Sequence, residues 1–106
     1  MIDSSIINEV VTKIATKFNP DKIIIFGSCA NGTQNENSDL DLLIVQDSDQ
    51  PMQKRGLDIR LSLIGAMIPM DLLIYTKSEF DQELKSVFSF LNSVMENSKI
   101  LYEPAV

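Results

Sequence analysis

Three aspartates and one glycine-serine pair are the residues of this sequence best placed to do chemistry. Gly27-Ser28 closes an apolar run, Lys22-Ile-Ile-Ile-Phe26, and Asp39-Leu-Asp41 opens a second, Leu42-Leu-Ile-Val45. A third carboxylate, Asp71, opens Leu72-Leu-Ile-Tyr75. Glycine at a strand end lets the backbone approach phosphates without a clashing Cβ, and the Ser28 hydroxyl and nearby amides can donate to phosphate oxygens. Carboxylates at i and i+2 of a strand point the same way, about 7 Å apart along it. Three of them together need a counter-charge, and oxygen donors without His or Cys select Mg²⁺ or Mn²⁺. The pattern therefore points to a nucleoside triphosphate with its magnesium, and to phosphoryl or nucleotidyl transfer. In a two-ion arrangement one ion activates the attacking oxygen and the other stabilises the leaving pyrophosphate, with Asp39 and Asp41 bridging both. Asp71 would hold the first ion and help deprotonate the acceptor.

For these groups to meet, the elements must be ordered in one way. Ile6, Ile7, Val10, Val11, Ile14 and Phe18 recur at helical spacing and predict a first helix ended by Asn19-Pro20. Strands are expected at about Lys22 to Phe26, Asp39 to Val45 and Met70 to Tyr75, with a loop from Cys29 to Ser38 rich in Asn, Gly, Ser and Thr. Gly27 reaches the aspartates only if the first two strands are antiparallel. Asp71 joins them only if the third runs parallel to the second, with a helix from Pro51 to about Met67 as the crossover. Thr76-Lys-Ser-Glu79 matches a capping box for a long helix to about Asn97, and Ile100-Leu-Tyr102 is expected as an edge strand. The fold class is thus α/β with an α+β mixed character: a small mixed sheet flanked by helices.

Composition narrows the functional classes. At 106 residues, 44% apolar and 7% aromatic, with no repeat or low-complexity tract, the chain is expected to form one globular domain, residues 1–106. The start, Met1-Ile-Asp-Ser-Ser5, has no signal-peptide pattern, and no apolar stretch reaches the roughly 18 residues of a membrane span, so a cytoplasmic location and no membrane partner are expected. A single cysteine, Cys29, excludes an internal disulfide, and the absence of histidine excludes any His-based nucleophile relay, general base or metal ligand. Nine basic against fifteen acidic residues give a net charge of −6, which argues against sequence-independent nucleic-acid binding.

Several motifs have plainer readings. Gly27-x4-Gly32-Thr33 is nearly a Walker A loop but lacks its lysine. Cys29 has nothing to activate it and reads as small packing. Lys54-Arg55 reads as a solvated helix face, although with Arg60 it would add positive charge to the site if that helix faced it. Along the last helix Phe80, Leu84, Phe88, Leu91 and Met95 form one stripe that Val87, Phe90 and Val94 widen. Either the sheet buries the whole face, or part of it is a pairing interface, homomeric or with a partner protein.

Taken together, Ile23-Ile-Ile-Phe-Gly-Ser28, Gly32-Thr33, Ser38-Asp-Leu-Asp-Leu42, Asp71 and Leu101-Tyr-Glu103 resemble the minimal nucleotidyltransferases of the DNA polymerase β superfamily. Many such proteins are antitoxins paired with HEPN-domain ribonuclease toxins. The resemblance implies a polymerase β-like nucleotidyltransferase core, ATP as substrate, and transfer of AMP to a tyrosine of the toxin with release of pyrophosphate. On that reading Gly27 and Ser28 bind the nucleotide while Asp39, Asp41 and Asp71 are catalytic and metal-binding. Larger members carry a second domain for the acceptor, so here the acceptor is expected to be another protein chain rather than a small molecule such as an aminoglycoside. Family members commonly read Gly-Ser-Arg-Ala-Arg-Gly where this chain has Gly27-Ser28-Cys29-Ala30-Asn31-Gly32, without either arginine. The alternative is therefore a non-catalytic antitoxin or nucleotide-binding module that neutralises its partner by contact.

Overall fold

The apolar runs, buried on both sides along Lys22–Phe26 and Leu40–Val45, build a four-stranded sheet with a core on each face. The structure is a computed structural model that describes residues 4–27, 30, 39–51, 54–63, 65 and 68–104. Strands β1 (Lys22–Phe26), β2 (Leu40–Val45), β3 (Met70–Tyr75) and β4 (Lys99–Tyr102) lie in the order β3-β2-β1-β4. Strand β1 is antiparallel to β2 and β4, whereas β2 and β3 are parallel. The helices are α1 (Ser4–Phe18), α2 (Leu57–Ser62), α3 (Lys77–Leu84) and α4 (Phe90–Glu96). None of the described helices is long and apolar enough to cross a membrane.

On one face of the sheet Ile23, Ile25, Leu40, Leu42, Ile44 and Ile74 pack with Val10, Val11 and Ile14 of α1 and Ile59 of α2. On the other, Ile24, Leu43, Val45 and Tyr75 pack with Phe80 of α3 and with Leu91 and Val94 of α4. Both faces of β2 are thus covered, which is why its sequence is an unbroken apolar run after the aspartates rather than an alternation. Helix α1 ends as the sequence predicts. Asn19 takes a left-handed φ of 46°, its N–H donates to Ala15 O at 3.1 Å, and Pro20 cannot continue the helix.

Two expected helices differ. The crossover helix does not begin at Pro51, because the chain must first turn at Gly56, whose φ is +85° and whose missing Cβ makes room for the Ile74 side chain. Helix α2 starts only after it, and among the described residues it spans Leu57–Ser62. The last long helix is two helices. Thr76 and Glu79 form the expected capping box on α3, but α3 stops at Leu84. Ser89 then takes an extended conformation and caps α4, its hydroxyl accepting from the Asn92 N–H at 3.1 Å. The Asn92 amide donates to Leu84 O at 3.1 Å and to Ser86 O, filling carbonyls that α3 leaves open at its end. Local bonding of this kind by Ser and Asn competes with a continued helix.

Candidate active site

Strand register brings the predicted residues together. Parallel pairing of β2 and β3 sets Asp41 opposite Asp71, and antiparallel pairing of β1 sets Phe26 opposite Asp41, which places Gly27 beside them. The Leu40 N–H donates to Pro69 O at 2.9 Å and pins the starts of β2 and β3 to each other. By strand alternation Asp41 and Asp71 share a face with Leu43, Val45 and Tyr75, the face over which α3 and α4 pack.

Gly27 is required here on two counts. Its φ is +76°, a region that side-chain-bearing residues rarely adopt, and a Cβ at this position would collide with Asp41 Oδ2. The backbone therefore lies directly against the Asp41 carboxylate. It then turns, the Ala30 N–H donating to Gly27 O at 3.1 Å, and buried Ala30 anchors the turn in the α1-side core. Ser28, the other expected nucleotide ligand, and Cys29 lie outside the described residues.

Asp41 is half-buried, while Asp39, just before β2, and Asp71 are exposed. Burial, the neighbouring charges of Asp71 and Asp39, and a hydrogen bond shared with Asp71 all push the Asp41 carboxyl above the ordinary carboxylate range. Among the described residues, every one of these influences acts against ionisation. A hydrogen bond between two carboxyl groups needs a proton, and a bound cation can take that proton's place. The donor set suits a hard divalent ion, since it is all oxygen and the chain has no histidine. Among the described residues no three acidic, His or Cys side chains converge into a finished cation cage, so the close element of this site is the Asp41–Asp71 pair with Asp39 flanking it.

The basic residues are placed differently from the expectation. Helix α2 packs by Ile59 into the α1-side core, on the opposite face from Asp41 and Asp71, so it does not face the site. Lys54 is exposed as expected, but Arg55 is not solvated, its side chain being only 8% exposed. Its Nη1 and Nη2 donate to Glu79 at 2.5 and 3.0 Å, and Nη1 also reaches Ile74 O at 3.4 Å. Arg60 Nη2 donates to Leu72 O at 3.2 Å. The two arginines occupy carbonyls of β3, an edge strand whose unpaired groups would otherwise invite another chain. Sequence reasoning missed the Arg55–Glu79 pair because 24 positions separate its members, and no local pattern links them.

The fold is that of a nucleotidyltransferase. A solved structure of a "putative nucleotidyltransferase" from Sulfolobus solfataricus superposes with a TM-score of 0.64 at 20% identity, over 93% of this chain and 78% of that one. The sequence model of the nucleotidyltransferase domain matches residues 7–102, from α1 to the end of β4, and the chain belongs to that family. A Methanocaldococcus jannaschii protein named "putative protein adenylyltransferase" is 31% identical over 107 residues, covering 96% of this chain and 100% of the relative.

Proposed function

We propose that this nucleotidyltransferase is a Mg²⁺-dependent protein adenylyltransferase of the minimal nucleotidyltransferase type. It moves AMP from ATP to a tyrosine hydroxyl of a partner protein, and it serves as the antitoxin to a HEPN-domain toxin. The observation that carries the reading is the register pairing of Asp41 with Asp71 beside a glycine that only fits without a Cβ. The name of the 31%-identical relative supports a protein as the acceptor.

In the proposed reaction the acceptor oxygen attacks the α-phosphorus of ATP, the α–β phosphoanhydride bond breaks, and pyrophosphate leaves with the bonding electron pair. Gly27 and Ser28 would offer backbone and hydroxyl donors to the phosphates. Asp39, Asp41 and Asp71 would hold the cations, and Asp71, which is exposed, would also take the hydroxyl proton on a carboxylate oxygen. Bound Mg²⁺ would supply the positive charge that neutralises the triphosphate and activates the attacking oxygen. A masking antitoxin without catalysis is the second reading, favoured by the lack of any Lys or Arg between positions 23 and 53.

The two readings separate in one experiment. Purified protein is incubated with Mg²⁺ and α-³²P-labelled ATP, with and without its co-purified partner. Label on the partner that vanishes in Asp41→Ala is the expected result. Tight partner binding with intact ATP and no label would leave the masking reading standing instead.

A further inference from the structure

The break between α3 and α4 does more than shorten a helix. It displays three large apolar side chains in four residues: Val87 is 80% exposed, Phe88 96% and Phe90 60%. A nearly bare phenylalanine has no folding role, and an apolar cluster of this kind marks an interaction site. The backbone that carries it is nonetheless well held. The Ser86 N–H donates to Glu83 O at 3.2 Å and the Ser89 N–H to Ser86 O at 3.1 Å, while the Asn92 amide ties Leu84 O and Ser86 O across the corner. A rigid backbone presenting an unpartnered aromatic loses little freedom on binding, which is the arrangement of an interface anchor.

The surface beside this corner defines what fits it. A groove of about 400 Å³ is lined by Tyr75, Glu79, Gln82, Glu83, Ser86 and Ser89, the last two belonging to the corner itself. Glu79 is taken by Arg55, but Glu83 makes no ion pair among the described residues and helps push the Tyr75 hydroxyl up, after burial, keeping it a donor. The corner and groove are built by the helices that pack on the same sheet face as Asp41 and Asp71. A second copy of this chain, at a net charge of −6, would bring like net charge against like and would leave Glu83 without a counter-charge.

We infer that the Val87–Phe90 corner and the Glu83 groove form the docking surface for the acceptor protein, whose complementary face is basic with an apolar pocket for Phe88. This rests on the reading of the chain as an enzyme or antitoxin acting on a protein.

The test follows backbone amide NMR spectra of the full chain during titration with a synthetic 20-residue amphipathic Lys/Leu helix carrying one tyrosine, and with its Glu/Leu counterpart. Shifts confined to Tyr75 and residues 79–92 with the basic peptide only, and affinity falling at least about tenfold in both Phe88→Ser and Glu83→Lys, are the expected results. Phe88 and Glu83 lie outside the core, so both variants should keep the wild-type spectrum elsewhere. Asp41→Asn should bind the peptide as wild type does, so loss of transfer and loss of docking are read separately. Equal binding of both peptides, shifts elsewhere, no binding, or unchanged affinity in the two variants would overturn the proposal. So would a wild-type dimer in sedimentation that Phe88→Ser turns into a monomer, which would assign the corner to a second copy.

Discussion

Two carboxylates associated with the same sheet face meet opposite environments. Glu79, at the start of α3, sits in the fork of Arg55 and accepts from the Thr76 N–H, and these bonds hold its carboxyl down at about 2. Asp41, at the start of β2, is surrounded by burial and by two more aspartates, and is pushed up. The first arrangement ties the segment that precedes α2 to β3 and α3. The second opposes ionisation of Asp41, and such a cluster beside a tight glycine turn is the kind of arrangement in which functional sites are found. Charge at Glu79 is therefore structural, whereas charge at Asp41 has no stabilising partner among the described residues and, on the proposed function, would serve the reaction.

Substitutions should separate the two regions in order of effect. Asp41→Asn or Asp71→Asn is expected to lower AMP transfer by about a hundredfold or more while leaving the fold intact, as followed by label incorporation and circular dichroism. Gly27→Ala should cost about 1–3 kcal/mol in urea unfolding, and lower transfer as well, because the new Cβ meets Asp41 and the backbone cannot relax from a positive φ without moving β1.

Arg55→Ala should destabilise by about 1–2 kcal/mol, less than a fully buried pair would because Glu79 is 38% exposed, with transfer retained. Its pH signature has a fixed sign. Since the native Glu79 carboxyl is depressed, its contribution is fully present above the unfolded value near 4.5 and is lost as pH falls toward about 2, so the difference between wild type and Arg55→Ala should shrink across that window. Ser89→Ala removes the α4 cap and should cost about 1 kcal/mol with no direct effect on chemistry.

The site end of the molecule was the more legible in sequence. Apolar runs preceded by aspartates locate β2 and β3, and the need to bring Gly27 and Asp71 to Asp41 is enough to deduce one antiparallel and one parallel pairing, both of which the structure contains. The helical layer was less so. Helical periodicity continues from Phe80 through Phe88 to Met95 although the helix does not, because Phe88 falls on the stripe and yet points to solvent. The cue that decides it is polar: Ser89 and Asn92 three residues apart, a cap signal inside an apolar pattern. Likewise Gly56 weakens a helix in any sequence reading, but that it ends one segment and starts another depends on Ile74, which tertiary packing places against it.

On the proposed function, the Asp41–Asp71 pair would be a cation site that destabilises the protein until it is filled. Its native carboxyl being raised, Asp41 contributes no penalty at low pH and an increasing one as pH rises from the ordinary carboxylate range through its native value. The direct measurement is thermal unfolding of wild type and Asp41→Asn at neutral pH, in EDTA and in Mg²⁺ with a non-hydrolysable ATP analogue. Asp41→Asn is expected to melt higher than wild type in EDTA and to gain nothing from Mg²⁺ and nucleotide, while wild type gains. A variant that melts lower in EDTA, or that gains as much as wild type, would contradict it.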